Sequence, residues 1–321
     1  MKHKLYLLIT IDTESLVQTP PFRNKYGNDL IYSDLGVPQI LKILGQFKFS
    51  ATFFLNVFEH FVWGKDKMSM ISKTILTAGS DIQLHTHPIW GFDPNREHMY
   101  QYSLDEQIEI IREGKELIKE WTGGYPIAHR AGAYGLNEDT LIALKENNIP
   151  IDSSMFYSHP NCKIVWARNK ILERNGIIEV PVTGFYRDVC WGAGPLSLKR
   201  SRSFVKTDID WASLDELKNF VKEAKKHNIR VMNLFMHSYS LIRWDSGFTN
   251  FRPDYADIEK FTNFLKLIKS DKEIEVITMR EFYDLYKKNP GLFNGSDHVP
   301  LIRQKEPFRN LVYKAVKKVL K

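Results

Sequence analysis

Leu5-Tyr-Leu-Leu-Ile-Thr-Ile-Asp12-Thr-Glu14 is the stretch on which the fold turns. Its apolar residues run on without polar alternation, the pattern of a strand covered on both faces in a parallel sheet. The run stops on two acids. Residues two apart on an extended chain share a face, so Asp12 and Glu14 are expected to point the same way. One of them can bind a metal ion while the other takes a proton.

Outward from this strand the chain alternates helical and extended patterns. A helix around Val37 to Phe47 leads to Ser50-Ala-Thr-Phe-Phe-Leu-Asn-Val57, and one around Lys67 to Leu76 leads to Ile82-Gln-Leu-His85. Ser103 and Glu106 form a capping box that opens a helix to about Trp121, followed by the short strand Pro126 to Arg130. Asn137 caps a helix to about Asn147, after which Ile149 to Asp152 and Ile177 to Val182 read as strands. Ser213 with Glu216 makes a second capping box for a helix to Lys226, ahead of the strand Arg230 to His237. A helix from about Tyr255 to Ile268 and the strand Ile274 to Ile277 follow. This alternation predicts an α/β fold with a parallel barrel, and 321 residues with 43% apolar and 13% aromatic side chains supply an ample core.

In such a barrel the chemistry collects at the C-terminal ends of the strands. Asp12, His85, Arg130, Asp152 and His237 all fall at or just beyond such ends, on five separate strands. His85 and His87, in Asp81-Ile-Gln-Leu-His-Thr-His-Pro88, are again two apart, so both imidazoles can reach one ion. An H-x-H spacing alone arises often by chance. Its pairing with the acids of the first strand is what points to a metal. The histidines at His3, His60, His98, His227 and His298 read as solvated or hydrogen-bonded.

Two cysteines, Cys162 and Cys190, make neither a disulfide framework nor a thiolate site, so the metal ligands are nitrogen and oxygen. The apolar N-terminal stretch is too short for a signal peptide and has no small-residue cleavage site, and no run is long enough to span a membrane. The expected location is the cytoplasm. A formal charge of +7 is concentrated toward the C-terminus. Phe308, Leu311, Val312, Ala315, Val316, Val319 and Leu320 fall at helical spacing, with Arg309, Lys314, Lys317, Lys318 and Lys321 on the other face. Such a basic amphipathic helix over 307–321 suits an anionic membrane surface and the protein's own flank equally. No aromatic-interleaved basic patch points to nucleic acid. With Asn294-Gly-Ser-Asp297 as the break, the expected layout is a barrel over 1–293 and an extension over 294–321.

The order of these motifs resembles that of the polysaccharide deacetylase family, metal-dependent carbohydrate esterases of the NodB type. Thr10-Ile-Asp12-Thr-Glu14 stands where the family has Thr-Phe-Asp-Asp, and Ala51-Thr-Phe-Phe-Leu55 matches the strand after it. His85-Thr-His87 is a shortened form of the family's His-Ser/Thr-x-x-His, Arg130-Ala-Gly-Ala-Tyr-Gly135 its arginine turn, and Phe235-Met-His237 its last motif. The glutamate in the first motif and the shortened second one suggest a divergent branch, like those of surface-polysaccharide and O-antigen gene clusters. The resemblance implies a distorted parallel barrel of seven or eight strands and a divalent metal, zinc first, with manganese, cobalt and iron as alternatives. It implies Glu14, His85 and His87 as ligands and Asp12 as the general base acting on the water held by the metal. Whether Asp12 or Glu14 is the ligand stays open. Arg130 would orient Asp12, His237 would protonate the leaving amine, and Asp152 would hold His237.

For the oxyanion the expected donors are the metal and a backbone N–H at Tyr134 or a neighbour in the Gly132–Gly135 turn. Among the aromatic residues near strand ends (Trp90, Phe92, Tyr134, Phe156, Tyr157, Trp191, Tyr239 and Trp244), Trp90 and Trp244 are singled out as sugar contacts. The implied substrate is an N-acetylated sugar, nucleotide- or lipid-linked in glycan assembly. The alternatives are an inactive glycan-binding barrel and a hydrolase that opens a cyclic amide.

Overall fold

In the computed structural model, residues 4–15, 34–193, 196–245 and 250–306 are described. Strand β1 (Leu5–Thr13) is buried along its whole length, as its unbroken apolar run requires. Parallel strands β2 (Thr52–Asn56), β3 (Asp81–Thr86), β4 (Ala128–Ala131) and β5 (Ile151–Asp152) follow on one side of it. Beyond β5, the hairpin β6 (Leu172–Arg174) and β7 (Ile177–Glu179) ends the sheet, with β7 parallel to β5 and β6 antiparallel to β7.

Two further strands, β8 (Gly184–Ala193) and β9 (Leu196–Lys206), form a long antiparallel hairpin outside the barrel. Strand β10 (Val231–His237) returns to pair with β1 in parallel, β11 (Ile242–Trp244) and β12 (Phe251–Pro253) make a small ribbon, and β13 (Ile274–Val276) pairs with the first residues of β1. The curled sheet thus runs β10-β1-β2-β3-β4-β5-β7-β6. The gap between its two ends is filled by hydrogen bonds: Thr207 N–H donates to Thr183, and Phe235 N–H donates to Thr207. The barrel is distorted, with its strands parallel except for β6.

Helices cover the outside: α1 (Val37–Phe47), α2 (Lys65–Thr77), α3 (Leu104–Thr122), α4 (Glu138–Glu146), α5 (Leu214–Lys226), α6 (Tyr255–Ser270) and α7 (Met279–Lys288). Both expected capping boxes form, Ser103 with Glu106 on α3 and Ser213 with Glu216 on α5, and Asn137 caps α4. Helix α3 presses so closely on β3 that a Cβ at Gly114 would lie 2.7 Å from Leu84, so glycine sets that approach.

Helix α7 and the β8–β9 hairpin are absent from the periodicity reading. The segment after Asn294 supplies strand β14 (Leu301–Glu306), which pairs in parallel with β8 to complete a three-stranded sheet. One face of that sheet packs on α5, with Phe185 and Ile302 buried and the Phe185 and Phe220 rings 6.3 Å apart. The expected basic helix over 307–321 lies outside the described residues. Among the described residues no helix is long and apolar enough to cross a membrane.

Candidate active site

Strand register alone brings two pairs together: Asp12 stands opposite His237 between β1 and β10, and His85 stands opposite Arg130 between β3 and β4. Glu14, just past the end of β1, reaches over the barrel mouth to the histidines. Its Oε2 lies 3.1 Å from Nε2 of His85 and 2.7 Å from Nε2 of His87. All three side chains are buried, and their candidate ligand atoms lie within 4.8 Å of one another.

The tautomer of His85 shows that this cluster suits a cation. Its Nδ1 is 2.8 Å from the Arg130 carbonyl, which can only accept, so Nδ1 carries a hydrogen. Its Nε2 therefore turns either a lone pair or a second proton toward the Glu14 carboxylate. A bare lone pair facing a carboxylate oxygen is repulsive, and a positive charge between them removes the conflict. Although burial opposes it, Asp12 and Glu14 raise the His85 pKa, so the surroundings favour positive charge at that ring. Burial likewise works against ionised Glu14, yet the two imidazoles hold its carboxyl well below the usual range. Two nitrogens and one carboxylate form a donor set for a divalent metal ion.

His87 is fixed from behind by the arginine turn. A Cβ on Gly132 would fall 2.4 Å from Cε1 and Nδ1 of that imidazole, so only glycine lets the turn pass beneath it. The next two residues, Ala133 and Tyr134, both hold left-handed backbone, at φ 48° and 60°. Strain of this kind persists only where surroundings enforce it. Here the Tyr134 hydroxyl accepts a 2.8 Å hydrogen bond from Lys206, whose ammonium also pairs with Asp208 at 2.8 Å.

Arg130 is the largest fully buried side chain. Its Nη1 donates to Asp12 Oδ1 at 2.7 Å and to Thr10 at 3.1 Å, while Nε and Nη2 bond to Ser153, each at 3.0 Å. With one Asp12 oxygen tied in this way, the other stays 3.8 Å from His85 Nε2 and faces the cluster.

On the opposite side His237 points Nε2 at Glu14 Oε1, 3.9 Å away, and its Nδ1 meets Asp210 Oδ2 at 3.2 Å. Ser240 donates to the same Asp210 oxygen at 2.9 Å. Against the cost of burial, His237 and Ser240 keep the Asp210 carboxyl below the usual range. Beside this pair opens a cavity of about 430 Å³ lined by Asp210, His237, Tyr239, Ser240 and Trp244, a size suited to a small ligand or one end of a longer one. A larger hollow of about 850 Å³ between α1 and α2 contains none of these residues.

Two expectations are corrected. Asp152 does not hold His237: it is fully buried, and its Oδ1 meets His129 Nδ1 at 2.9 Å and accepts from Ser154. Asp152 shares its sheet face with His129, opposite the face on which Arg130 and Ser153 meet near Asp12, and the loop after β9 brings Asp210 to His237 instead. Trp90 is no groove wall either, being 3% exposed within the core because the turn Pro88–Trp90 folds inward. Tyr134 is buried beside Lys206, and Trp244 lines the cavity. Asp210, Lys206 and Asp208 were not foreseen. The only signal was Asp208-Ile-Asp210 ahead of the Ser213 cap, a second D-x-D-type spacing outside any recognisable strand.

Glu59 was missed as well. Its carboxyl accepts from the N–H and the hydroxyl of Ser15, each at 2.6 Å, and from Trp63 at 3.0 Å, tying down the chain just past Glu14. Burial above all pushes it up to about 7.

A buried cluster of two imidazoles and a carboxylate is thus flanked by an arginine-tethered aspartate and an aspartate-tethered histidine at the mouth of a parallel barrel, a candidate metal site with acid–base groups on either side. The polysaccharide deacetylase family model matches residues 29–150, a stretch that includes His85, His87 and Arg130. Among solved structures, the chain is similar to a Mycobacterium smegmatis protein assigned as a polysaccharide deacetylase, at 17% identity, TM-score 0.62, with 94% of this chain and 96% of that one covered. It is also similar to Puue allantoinase, at 12% identity, TM-score 0.59, covering 90% and 92% of the two chains. A third likeness is to the 4-alpha-glucanotransferase of Thermococcus litoralis, at 9% identity, TM-score 0.58, covering 88% of this chain and 40% of the other. No curated protein matches the sequence. The resemblance to polysaccharide deacetylases drawn from the motifs therefore stands, and the fold is the NodB-type barrel.

Proposed function

We propose that this protein is a metal-dependent hydrolase that removes the acetyl group from an N-acetylated sugar during glycan assembly. The observation that carries the proposal is the convergence of Glu14, His85 and His87 on one point between Asp12 and His237. A divalent ion held there, with zinc the best match to the donors, would lower the pKa of water toward neutrality and polarise the amide carbonyl. Asp12, with one oxygen held by Arg130, turns its other oxygen toward the centre to take a proton from the attacking water. His237, its ring fixed through Nδ1 by Asp210, offers Nε2 to the departing amine, which leaves poorly unless protonated. Tyr134 and the turn around it supply polar groups beside the position of the oxyanion. Tyr239 and Trp244 give the cavity aromatic walls on which a sugar face packs.

The test is acetate release from a panel of N-acetyl sugars, free, nucleotide-linked and lipid-linked, by protein loaded with zinc, manganese, cobalt or iron. Stoichiometric metal without acetate from any of them would overturn the deacetylase reading, and ring opening of a cyclic amide by the same protein would replace it. The basic residues of 307–321 extend the proposal to a cytoplasmic protein resting on the anionic inner surface of the membrane. Deleting 307–321 should abolish sedimentation with anionic liposomes and leave the thermal midpoint unchanged; undiminished sedimentation would remove the membrane contact.

A further inference from the structure

The three-stranded sheet of β14, β8 and β9 turns one face to α5 and the other outward. Register places Tyr186 between Leu301 and Phe204, and Asp188 between Arg303 and Arg202. On the outward face Arg202 and Arg303 are 53% and 74% exposed, and each stands 3.8 Å from the same Asp188 oxygen. Arg168 joins them from the loop before β6, with its guanidinium 4.8 Å from the Tyr157 ring. Both Arg168 and Arg202 lie close enough to act electrostatically on the Tyr186 hydroxyl. The Asp297 carboxylate beside Arg168 accepts from the backbone N–H groups of Arg168 and Asn169. Arg202 and Arg303 thus share the one carboxylate of Asp188, so the three guanidinium groups leave positive charge over even with Asp297 counted.

This face is continuous with the candidate active site. From Tyr134 at the mouth, ring centroids step 5.0 Å to Phe156, 5.7 Å to Phe204 and 5.6 Å to Tyr186, with Tyr157 beside Phe204 at 5.1 Å. All of these rings beyond Tyr134 are partly exposed. Aromatic rings pack on sugar faces, and arginine forks fit carboxylate and phosphate oxygens.

We propose that the Arg168–Arg202–Arg303 face is a subsite for an anionic part of the glycan substrate, a hexuronate or phosphate-bearing unit, several sugars away from the acetyl group that is removed. The inference rests on the deacetylase reading for its substrate class, but its binding half stands alone. The aromatic strip leads the glycan from Tyr134 to the arginines, whose charge selects acidic over neutral chains. Long reach and charge complementarity both favour a polymer or a charged oligosaccharide over a single neutral sugar.

The test uses a tetrasaccharide alternating glucuronate with N-acetylglucosamine and, as the neutral control, the N-acetylglucosamine tetramer. Calorimetric affinity and acetate release are measured on the full-length, metal-loaded protein. The double variant Arg202→Gln, Arg303→Gln should bind the acidic tetrasaccharide about tenfold or more weakly and the neutral one unchanged. The loss should appear in KM and leave kcat as it was. Arg168→Gln, which does not touch Asp188, gives the same direction in a background where folding is not at issue. Equal affinity of variants and parent for the acidic sugar overturns the subsite, even when acetate is released. Arginine-dependent binding without acetate from any sugar upholds the subsite and removes the deacetylase reading. Displacement of the acidic sugar by a single-stranded oligonucleotide at equal concentration would reassign the face to nucleic acid and overturn the proposal.

Discussion

The two ends of the barrel each desolvate a carboxylate, and the two carboxylates respond in opposite ways. At the C-terminal end, Glu14 pays the cost of desolvation yet is held ionised by His85 and His87. At the N-terminal end, Asp81 is part-buried, yet there desolvation outweighs its partners and pushes it from the ordinary 3.8 up to about 6. The partners explain the difference. Asp81 is met above all by a neutral donor, Gln83 Nε2 at 2.8 and 2.9 Å, then by the Arg280 charge alone among cations, and after it by the Arg280 N–H at 3.1 Å and Thr52 at 3.4 Å. These bonds stitch β2, β3 and the first turn of α7 together. Dipoles suffice to hold a strand end in place. Keeping an acid charged in a dry site takes cations, and a group of cations and anions with an open position is what chemistry requires.

The largest effect should come from the end with chemistry. Asp12→Asn is expected to lower the rate of acetate release roughly a thousandfold while bound metal, measured by elemental analysis, stays stoichiometric. Loss of the metal instead would make Asp12 the ligand and exchange its role with Glu14. Asp210→Asn is expected to cost about 10- to 100-fold in kcat, the usual penalty for removing a group that orients a reacting one, and Asp152→Asn should not reproduce that loss in a folded protein. Equal losses in both variants would break the assignment of Asp210 to His237.

Gly132→Ala forces the His87 ring to move. It should weaken metal binding about tenfold or more in a chelator competition, and overpacking should cost about 1–3 kcal/mol of stability in urea unfolding. Unchanged metal affinity would mean that His87 is not a ligand.

The smallest effect belongs to the other end. Because folded Asp81 holds its proton to higher pH than the unfolded chain does, its contribution is greatest below pH 3.8 and is lost as pH rises through about 6. The loss amounts to about 3 kcal/mol at most. In Asp81→Asn the urea midpoint should fall less than in the parent between those pH values, with metal binding untouched. Parallel pH profiles would show that the dipoles around Asp81 already keep it ionised.

Much of this was legible in the chain itself. The continuous apolar run from Leu5 to Ile11 declared a buried parallel strand, and the two-residue spacings of Asp12 with Glu14 and His85 with His87 placed both pairs on shared faces. Ser103 with Glu106 and Ser213 with Glu216 marked helix starts to the residue, because a capping box closes within one turn. These are local rules, in which atoms a few residues apart decide the outcome. The choice of partner follows no such rule. His237 could draw its carboxylate from any neighbouring loop, and only the closure of the sheet through Thr183, Thr207 and Phe235 brings Asp210 to it and leaves Asp152 with His129.

The outer sheet shows the same division. Strands β8, β9 and β14 lack a clean alternation because each face mixes apolar and charged residues: Phe185 and Arg187 both turn to α5, and Tyr186 and Asp188 both turn the other way. The pairing of β14 with β8 joins residues more than 100 positions apart. Composition and spacing thus determined the barrel class, the residue types of the candidate metal site and the strand ends that carry them. Only the tertiary structure decided which charge faces which, since electrostatic partnership depends on distance through space and burial, and neither is a function of distance along the chain.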